Sequence, residues 1–126
     1  MPRAVTLSLA ILVAAAAAAE ASPVGLWRAK DGAQIRVSAC GKQTLCGFIA
    51  TTNPRIDPAK QKRPLVGVEI LIGMAPSAPG EWSGRLYNDD DGKTYDGKLK
   101  ELGPKEIRIE GCAGALCGGQ ELSRVK

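Results

Sequence analysis

The chain has 126 residues, with 17 Lys and Arg against 13 Asp and Glu, and only one Phe, two Trp and two Tyr. This modest positive excess lacks the interleaved aromatic residues of a nucleic-acid-binding surface, so no nucleic-acid partner is expected. Histidine is absent, which excludes Ser–His and Cys–His nucleophile pairs and histidine metal ligands.

The N-terminus has the pattern of an export signal. A short positive segment precedes an uncharged apolar stretch from Val5 to Ala19, and small residues follow. A stretch shorter than the roughly 20 residues that cross a bilayer favours a cleaved signal peptide over a retained membrane anchor. Cleavage is predicted after Ala19 or Ala21. We therefore expect residues 1–21 to be the signal and 22–126 one β domain, periplasmic or secreted, without stable membrane insertion.

Turn residues divide the remaining sequence into short runs, many with alternating apolar and polar positions. Strands are predicted over residues 25–29, 34–40, 45–51, 65–74, 81–87, 94–102, 106–111 and 116–125. Thr52–Pro64 is predicted to be a long loop, and Ala75–Gly80, which contains two prolines, a turn. Eight short strands indicate a sandwich or a closed barrel. The hairpin-sized connections favour an eight-stranded antiparallel up-and-down barrel.

The four cysteines occur as two close pairs, Cys40 with Cys46 and Cys112 with Cys117. A zinc site is the alternative to disulfides, but neither pair has the C-x-x-C spacing typical of zinc ligands. An exported chain folds in an oxidising compartment, where cysteine pairs form disulfides. The sequence therefore predicts two disulfides and no metal site.

An ordered set of short motifs resembles the bacterial family catalogued as domain of unknown function 2147. In chain order these motifs lie in Gly25–Trp27, Cys40–Ile49, Arg63–Gly67, Trp82–Tyr87, Asp91–Tyr95 and Cys117–Val125. The resemblance covers nearly all of the chain after the signal. It implies an exported, lipocalin-like β-barrel whose ligand is not generally established. Leu122 departs from the pattern, because such proteins usually carry a Trp there.

The up-and-down topology predicts which residues share an end of the barrel. We call the end where the first strand starts the base and the opposite end the rim. Trp27 and Arg124 both fall near the base on neighbouring strands, where an Arg stacked on an indole contributes about 0.5–2 kcal/mol. The resemblance to lipocalin-like barrels implies that this pair plugs the base. The alternative is a core Trp27 and an unrelated surface arginine.

The same topology separates the two cysteine pairs. The turn between strands two and three lies at the base, and the turn between strands seven and eight lies at the rim. Sulfur atoms at opposite ends of a strand that spans roughly 20 Å cannot bond. The predicted disulfides are therefore Cys40–Cys46 and Cys112–Cys117, each a local staple.

Two kinds of function remain open. A barrel of this size either holds a small ligand or is filled by its own side chains. If the barrel is hollow, it is expected to bind a small apolar ligand in a pocket lined by Val68, Ile70, Trp82 and Leu99. If filled, it is expected to bind an envelope protein through its rim loops, including Lys60, Lys62 and Arg63.

Catalysis and cofactor binding are not expected. Glu69 lies among apolar residues, but one carboxylate without a placed partner does not define a reaction. The Asp89–Asp91 run lacks the alternating ligands and distal Glu of a calcium-binding loop. The sequence thus predicts a binding protein without a cofactor.

Overall fold

The structure, a computed structural model, describes residues 22–52 and 65–126. The strands are β1 (Gly25–Arg28), β2 (Gln34–Ala39), β3 (Leu45–Thr51), β4 (Glu69–Ala78), β5 (Glu81–Asn88), β6 (Lys93–Gly103), β7 (Glu106–Ala113) and β8 (Leu116–Arg124). Consecutive strands pair antiparallel, and β8 pairs with β1 to close the barrel. The predicted all-β up-and-down barrel is confirmed. The described part of the chain contains no helix long and apolar enough to span a membrane.

Two predicted segments fall where the structure gives no description. The predicted signal peptide, residues 1–21, lies outside the described residues, as do residues 53–64 of the predicted long loop. That loop contains the basic residues Arg55, Lys60, Lys62 and Arg63.

Alternating apolar and polar side chains produce strands β2 and β7. In β2, Ile35 and Val37 are buried and the intervening Arg36 is exposed. In β7, Ile107 and Ile109 are buried in the same alternating way. Because successive side chains of a strand point to opposite faces, this pattern places one face against the core and the other towards water.

Strand β4 differs from its prediction at both ends. Residues 65–68 form a turn, in which the Val68 amide donates to the Leu65 carbonyl at 3.0 Å. Ala75–Ala78, predicted as a turn, continues the strand. Proline is tolerated at position 76 because the pairing of β3 with β4 ends at Met74, leaving that side of β4 without a ladder to interrupt.

The register of β4 also shifts against both neighbours. Gly73 has a φ of +55°, a conformation that glycine adopts without steric cost. Against β3, one shift falls between Glu69 and Leu71, so inward and outward side chains do not alternate strictly along β4. Leu71 is fully buried in the core, although the neighbouring Ile70 is the residue that was predicted to line a ligand site.

The hydrophobic core fills the base half of the barrel. Its members are Trp27, Ala29, Ile35, Val37, Leu45, Leu71, Met74, Leu99, Ile107, Ile109 and Leu122. Leu122 is only 1% exposed. The base half is thus close-packed by side chains, as protein interiors generally are.

The barrel closes over a short distance. β1 and β8 share only the pairs Trp27–Arg124 and Arg28–Ser123, because β1 ends at Arg28. β8 extends further towards the rim and starts at Leu116. Among the described residues, Leu116–Leu122 has no strand partner on the side away from β7. We call this opening the seam.

Candidate functional site

The rim half of the barrel contains a cavity of about 690 Å³. This volume lies within the range of roughly 300–1,000 Å³ typical of small-molecule sites. The lining includes apolar residues from most of the strands: Ala29, Ala33, Ile35, Ile49, Leu65, Ile70, Leu86, Ile109, Ala113 and Leu116. Polar and aromatic lining residues include Gln34, Thr52, Tyr87, Asn88, Tyr95 and Gln120.

The cavity begins where side chains on β7 and β8 become small. Towards the base, Ile107 and Leu122 face each other across the two strands and are fully buried. Towards the rim, the inward pair is Gly111 opposite Gly118, and both line the cavity. A Cβ added at Gly118 would meet no atom within 4 Å. Space that side chains occupy lower in the barrel is therefore open at the rim.

The floor of the cavity belongs to the core. Ala29, Ile35 and Ile109 line the cavity and also belong to the core cluster. Since tightly packed neighbours fix the positions of these side chains, the floor is preformed by folding. A bound molecule would meet an ordered apolar surface.

The structure places the four residues expected to line a ligand site in different surroundings. Ile70 lines the cavity. Leu99 is completely buried in the core below it, and Trp82 packs against that core while partly buried. Val68 is half-buried in the turn before β4. Among these four, only Ile70 is in the described lining, because the cavity occupies the rim half and β4 lacks a simple alternation.

Acidic side chains at the mouth stabilise the rim turns. Asp31 accepts a hydrogen bond from the Ala33 amide at 2.9 Å, and Asp91 accepts one from the Lys93 amide at 2.9 Å. Asp91 also accepts the Tyr95 hydroxyl. The Tyr95 hydrogen bond lowers the pKa of the Asp91 carboxyl, and the same bond raises the pKa of Tyr95. The mouth therefore has ordered turns.

No metal site is formed by the residues that the structure describes: they contain no cluster of three or more His, Cys, Asp or Glu side chains suited to a metal ion. Glu69, considered as a catalytic carboxylate, lies half-buried opposite Phe48 on β3. It is not among the residues described as lining the cavity.

Trp27 and Arg124 lie together at the base of the barrel. The Arg124 guanidinium carbon lies 4.3 Å from the centre of the Trp27 ring. The indole is fully buried and donates to the Pro23 carbonyl at 2.8 Å. Gly25 permits this approach, because an added Cβ would lie 2.6 Å from an Arg124 nitrogen. The two residues that the sequence placed at the base are thus in direct contact.

Both pairs of cysteines are bonded, Cys40 to Cys46 near the base and Cys112 to Cys117 at the rim. The described residues contain no free cysteine. The rim disulfide is adjacent to the site, since Gly111, Ala113, Leu116 and Gly118 flank its cysteines and line the cavity. Two disulfides and this barrel fold are consistent with an extracytoplasmic protein.

The small residues of the rim were not identified from the sequence as part of a site. Gly111 and Gly118 continue the inward positions that Ile107, Ile109 and Leu122 occupy nearer the base. A fall in side-chain size along one face of two paired strands is the signal that could have located the cavity. Glycine within a strand often marks a site where a ligand or another backbone segment comes close to the strand.

Comparisons with known proteins agree with this architecture. Protein HP1028 from Helicobacter pylori, described as belonging to the lipocalin family, has a TM-score of 0.64 at 12% identity, over 85% of each chain. A redesigned β-barrel has a TM-score of 0.52 at 13% identity, over 82% of this chain and 91% of its own. No curated protein matches the sequence. The similarity to the two solved structures establishes a lipocalin-like fold. Residues 25–124 match the family described as uncharacterized protein conserved in bacteria, domain of unknown function 2147, and the chain belongs to that family.

Proposed function

We propose that this protein binds a small apolar molecule in the rim cavity, in the periplasm or outside the cell, without catalysing a reaction on it. The observation that carries the proposal is the cavity of about 690 Å³ above a filled base. A barrel filled along its whole length would offer no such space.

The lining supports an apolar ligand with a polar end. Ile35, Ile49, Ile70 and Ile109 provide apolar surface, whereas Gln34, Asn88 and Gln120 provide hydrogen-bonding groups. Sites for small molecules typically combine an apolar lining with a few polar groups that fix orientation. Burial of apolar surface contributes about 25 cal/mol per Å², so the ligand's affinity would come mainly from its apolar part.

The proposed compartment rests on two features. The N-terminal apolar segment predicts export, and the two disulfides are typical of proteins that fold in oxidising compartments. A non-catalytic role is supported by the lack of histidine in the sequence and by the bonding of all four cysteines.

Titration with the neutral apolar dye N-phenyl-1-naphthylamine tests the proposal. The dye fluoresces strongly in apolar surroundings, so we expect a saturable increase in its emission with the purified protein. Gly118→Leu places a side chain in the open space beside Gly118 and should weaken dye binding about tenfold or more. Gly118→Ala provides a smaller step with less risk to folding.

Gly103→Leu is the matched control, because a Cβ there also meets no atom within 4 Å and the residue lies at the base end of β6. It should leave dye binding unchanged. Thermal unfolding followed by circular dichroism establishes that each variant is folded. Absence of saturable binding to the wild-type protein, or equal binding by a folded Gly118→Leu protein, would overturn the proposed function.

A further inference from the structure

Along the seam, the edge of β8 that faces away from β7 has no strand partner among the described residues. β8 has nine residues, from Leu116 to Arg124, and only Ser123 and Arg124 have partners on β1. No backbone hydrogen bond in the described part of the chain reaches this edge between Leu116 and Leu122. A free strand edge presents a row of backbone donors and acceptors to which another strand can pair.

The pairing of β7 with β8 shows which backbone groups face the seam. Residues opposite each other on antiparallel strands alternate between hydrogen-bonded and non-hydrogen-bonded pairs, and the latter have the shorter Cα separation. Cys112 and Cys117 are opposite each other with a Cα separation of 4.0 Å, which marks a non-hydrogen-bonded pair. The amides and carbonyls of Cys117, Gly119 and Glu121 therefore point away from β7.

Hydrogen bonds at the end of β8 agree with this alternation. The Arg124 amide, at an even position, donates to the Lys105 carbonyl beside the start of β7. The Val125 amide, at an odd position, donates to the Leu26 carbonyl on β1. Odd-numbered residues thus direct their backbone groups to the β1 side, where the seam is open.

Residues 116–122, which form the seam edge of β8, lack three features that often protect a free strand edge. Natural edge strands often carry lysine, proline or a bulge, yet residues 116–122 contain neither lysine nor proline, and their pairing with β7 shows no register shift. The charged side chain of this segment, Glu121, forms an ion pair of 3.8 Å with Arg108 on β7. Six of these seven residues are exposed.

The edge and the cavity adjoin each other. Gly118 and Gln120, which alternate with the seam-facing backbone groups, line the cavity. Ala29, Asp31 and Ala33, in the turn at the end of β1, line it on the other side of the seam. A strand added to β8 would therefore place every second side chain on the cavity side.

We propose that β8 binds an extended peptide segment of a partner protein, which adds as an antiparallel strand at the seam and inserts one apolar side chain into the rim cavity. The segment would continue the line of β1, whose pairing with β8 stops at Arg28–Ser123. Backbone hydrogen bonds would supply affinity, and the cavity would select the side chain, as in other cases of strand addition. The side-chain pocket rests on the proposed function, whereas the backbone pairing does not.

A blocked, fluorescein-labelled peptide with a central Phe, flanking threonines and terminal lysines is the probe, and its anisotropy measures binding. We expect saturable binding that weakens about tenfold or more when alternate peptide amides are N-methylated, since several hydrogen bonds are then lost. Replacing the central Phe by Ala should weaken binding about tenfold or more, because the aromatic ring is no longer buried in the cavity.

Glu121→Pro is the decisive variant. It removes a seam-facing amide that β7 does not use, so folding should persist, as a melting curve will show. We expect peptide binding to fall about tenfold or more, while Glu121→Ala, which keeps the amide, retains it. Equal affinity in the two folded variants would overturn the proposal.

The remaining outcomes separate the two proposals. Dye binding without peptide binding leaves the proposed function intact and refutes the peptide site. If the Phe and Ala peptides bind with equal affinity and the dye does not bind, the side-chain pocket is refuted. The backbone pairing at the seam is then retained. A wild-type dimer by light scattering that becomes monomeric in Glu121→Pro would show that the edge binds a second copy instead of a partner peptide, and would overturn the proposal as stated.

Discussion

The Arg124 guanidinium lies against the Trp27 ring and also donates to three backbone carbonyls. These acceptors are Pro104 at 2.8 Å, Val24 at 3.0 Å and Ser22 at 2.6 Å. One side chain therefore joins the N-terminal segment, the turn between β6 and β7, and the end of β8. This matters because β1 and β8 themselves share only two residue pairs.

Arg124→Lys should destabilise the protein although it keeps the charge. A lysine ammonium is a compact donor and cannot reproduce the planar fork that reaches three carbonyls while stacked on an indole. Loss of the stacking and of the charged hydrogen bonds should lower the free energy of unfolding by about 1–3 kcal/mol. Urea denaturation measures this change. Arg36→Lys, at an exposed position of β2, is the control, and an equal effect of both substitutions would contradict the role assigned to Arg124.

The strand order and the local cysteine pairing could be predicted because they depend on short-range patterns. The alternation of β2 and β7, with Ile35, Val37, Ile107 and Ile109 inward, follows directly from the sequence. In an up-and-down strand order, the two cysteine pairs flank turns at opposite ends of the barrel. Each cysteine can therefore reach only the other cysteine of its own turn. The position of Trp27 beside Arg124 follows from the same order.

The course of β4 and the shape of the site depend on information that a local pattern lacks. Pro76 indicates a turn by itself, but it occupies a strand because β3 does not extend beside it. The cavity depends on which inward positions are small at one height of the barrel, where Gly111 and Gly118 meet across two strands. Val68, Trp82 and Leu99 resemble lining residues in the sequence because apolar core and apolar cavity wall have the same alternation.

Leu99→Ala and Ile70→Ala should have opposite main effects. Leu99 is completely buried in the filled half, so its truncation should cost about 2–5 kcal/mol of stability. It should leave dye binding by the folded protein nearly unchanged. Ile70 lines the cavity and is only partly buried, so Ile70→Ala should weaken dye binding several-fold at a smaller cost in stability. Calorimetry and dye titration on both variants check this, and the reverse pattern would place the site in the base half.

Removal of the rim disulfide should affect both stability and binding. Residues on either side of Cys112 and Cys117 line the cavity, so Cys112→Ser with Cys117→Ser should loosen the wall and weaken dye binding. Loss of a disulfide that closes a short loop should also lower stability by about 2–3 kcal/mol. Cys40→Ser with Cys46→Ser, at the base, should cost similar stability and leave dye binding unchanged. Equal loss of dye binding in the two double variants would show that the rim disulfide has no special effect on the cavity.

Glu110 should give the protein an acid-dependent stability. Arg108 donates to its carboxylate at 2.8 Å, and the Lys100 ammonium lies 3.7 Å away. The Arg108 hydrogen bond, with smaller contributions from the nearby lysines, lowers the pKa of the Glu110 carboxyl in the folded protein. A carboxyl whose pKa is lower in the folded state binds fewer protons there than in the unfolded chain. The contribution of Glu110 to the free energy of unfolding is therefore complete above the carboxyl's pKa in the unfolded chain, about 4.3. This contribution is lost as pH falls through the lower pKa of the folded protein.

Glu110→Gln should consequently be less stable than the wild-type protein at neutral pH, and the difference in unfolding free energy should shrink as pH falls below about 4. Urea denaturation at a series of pH values measures it. Arg108→Gln removes the main donor to Glu110, so it should also weaken the acid dependence, although it disturbs the Glu121 ion pair as well. A stability difference for Glu110→Gln that stays constant through the acid range would contradict a lowered Glu110 pKa, because the two proteins would then take up the same number of protons on unfolding.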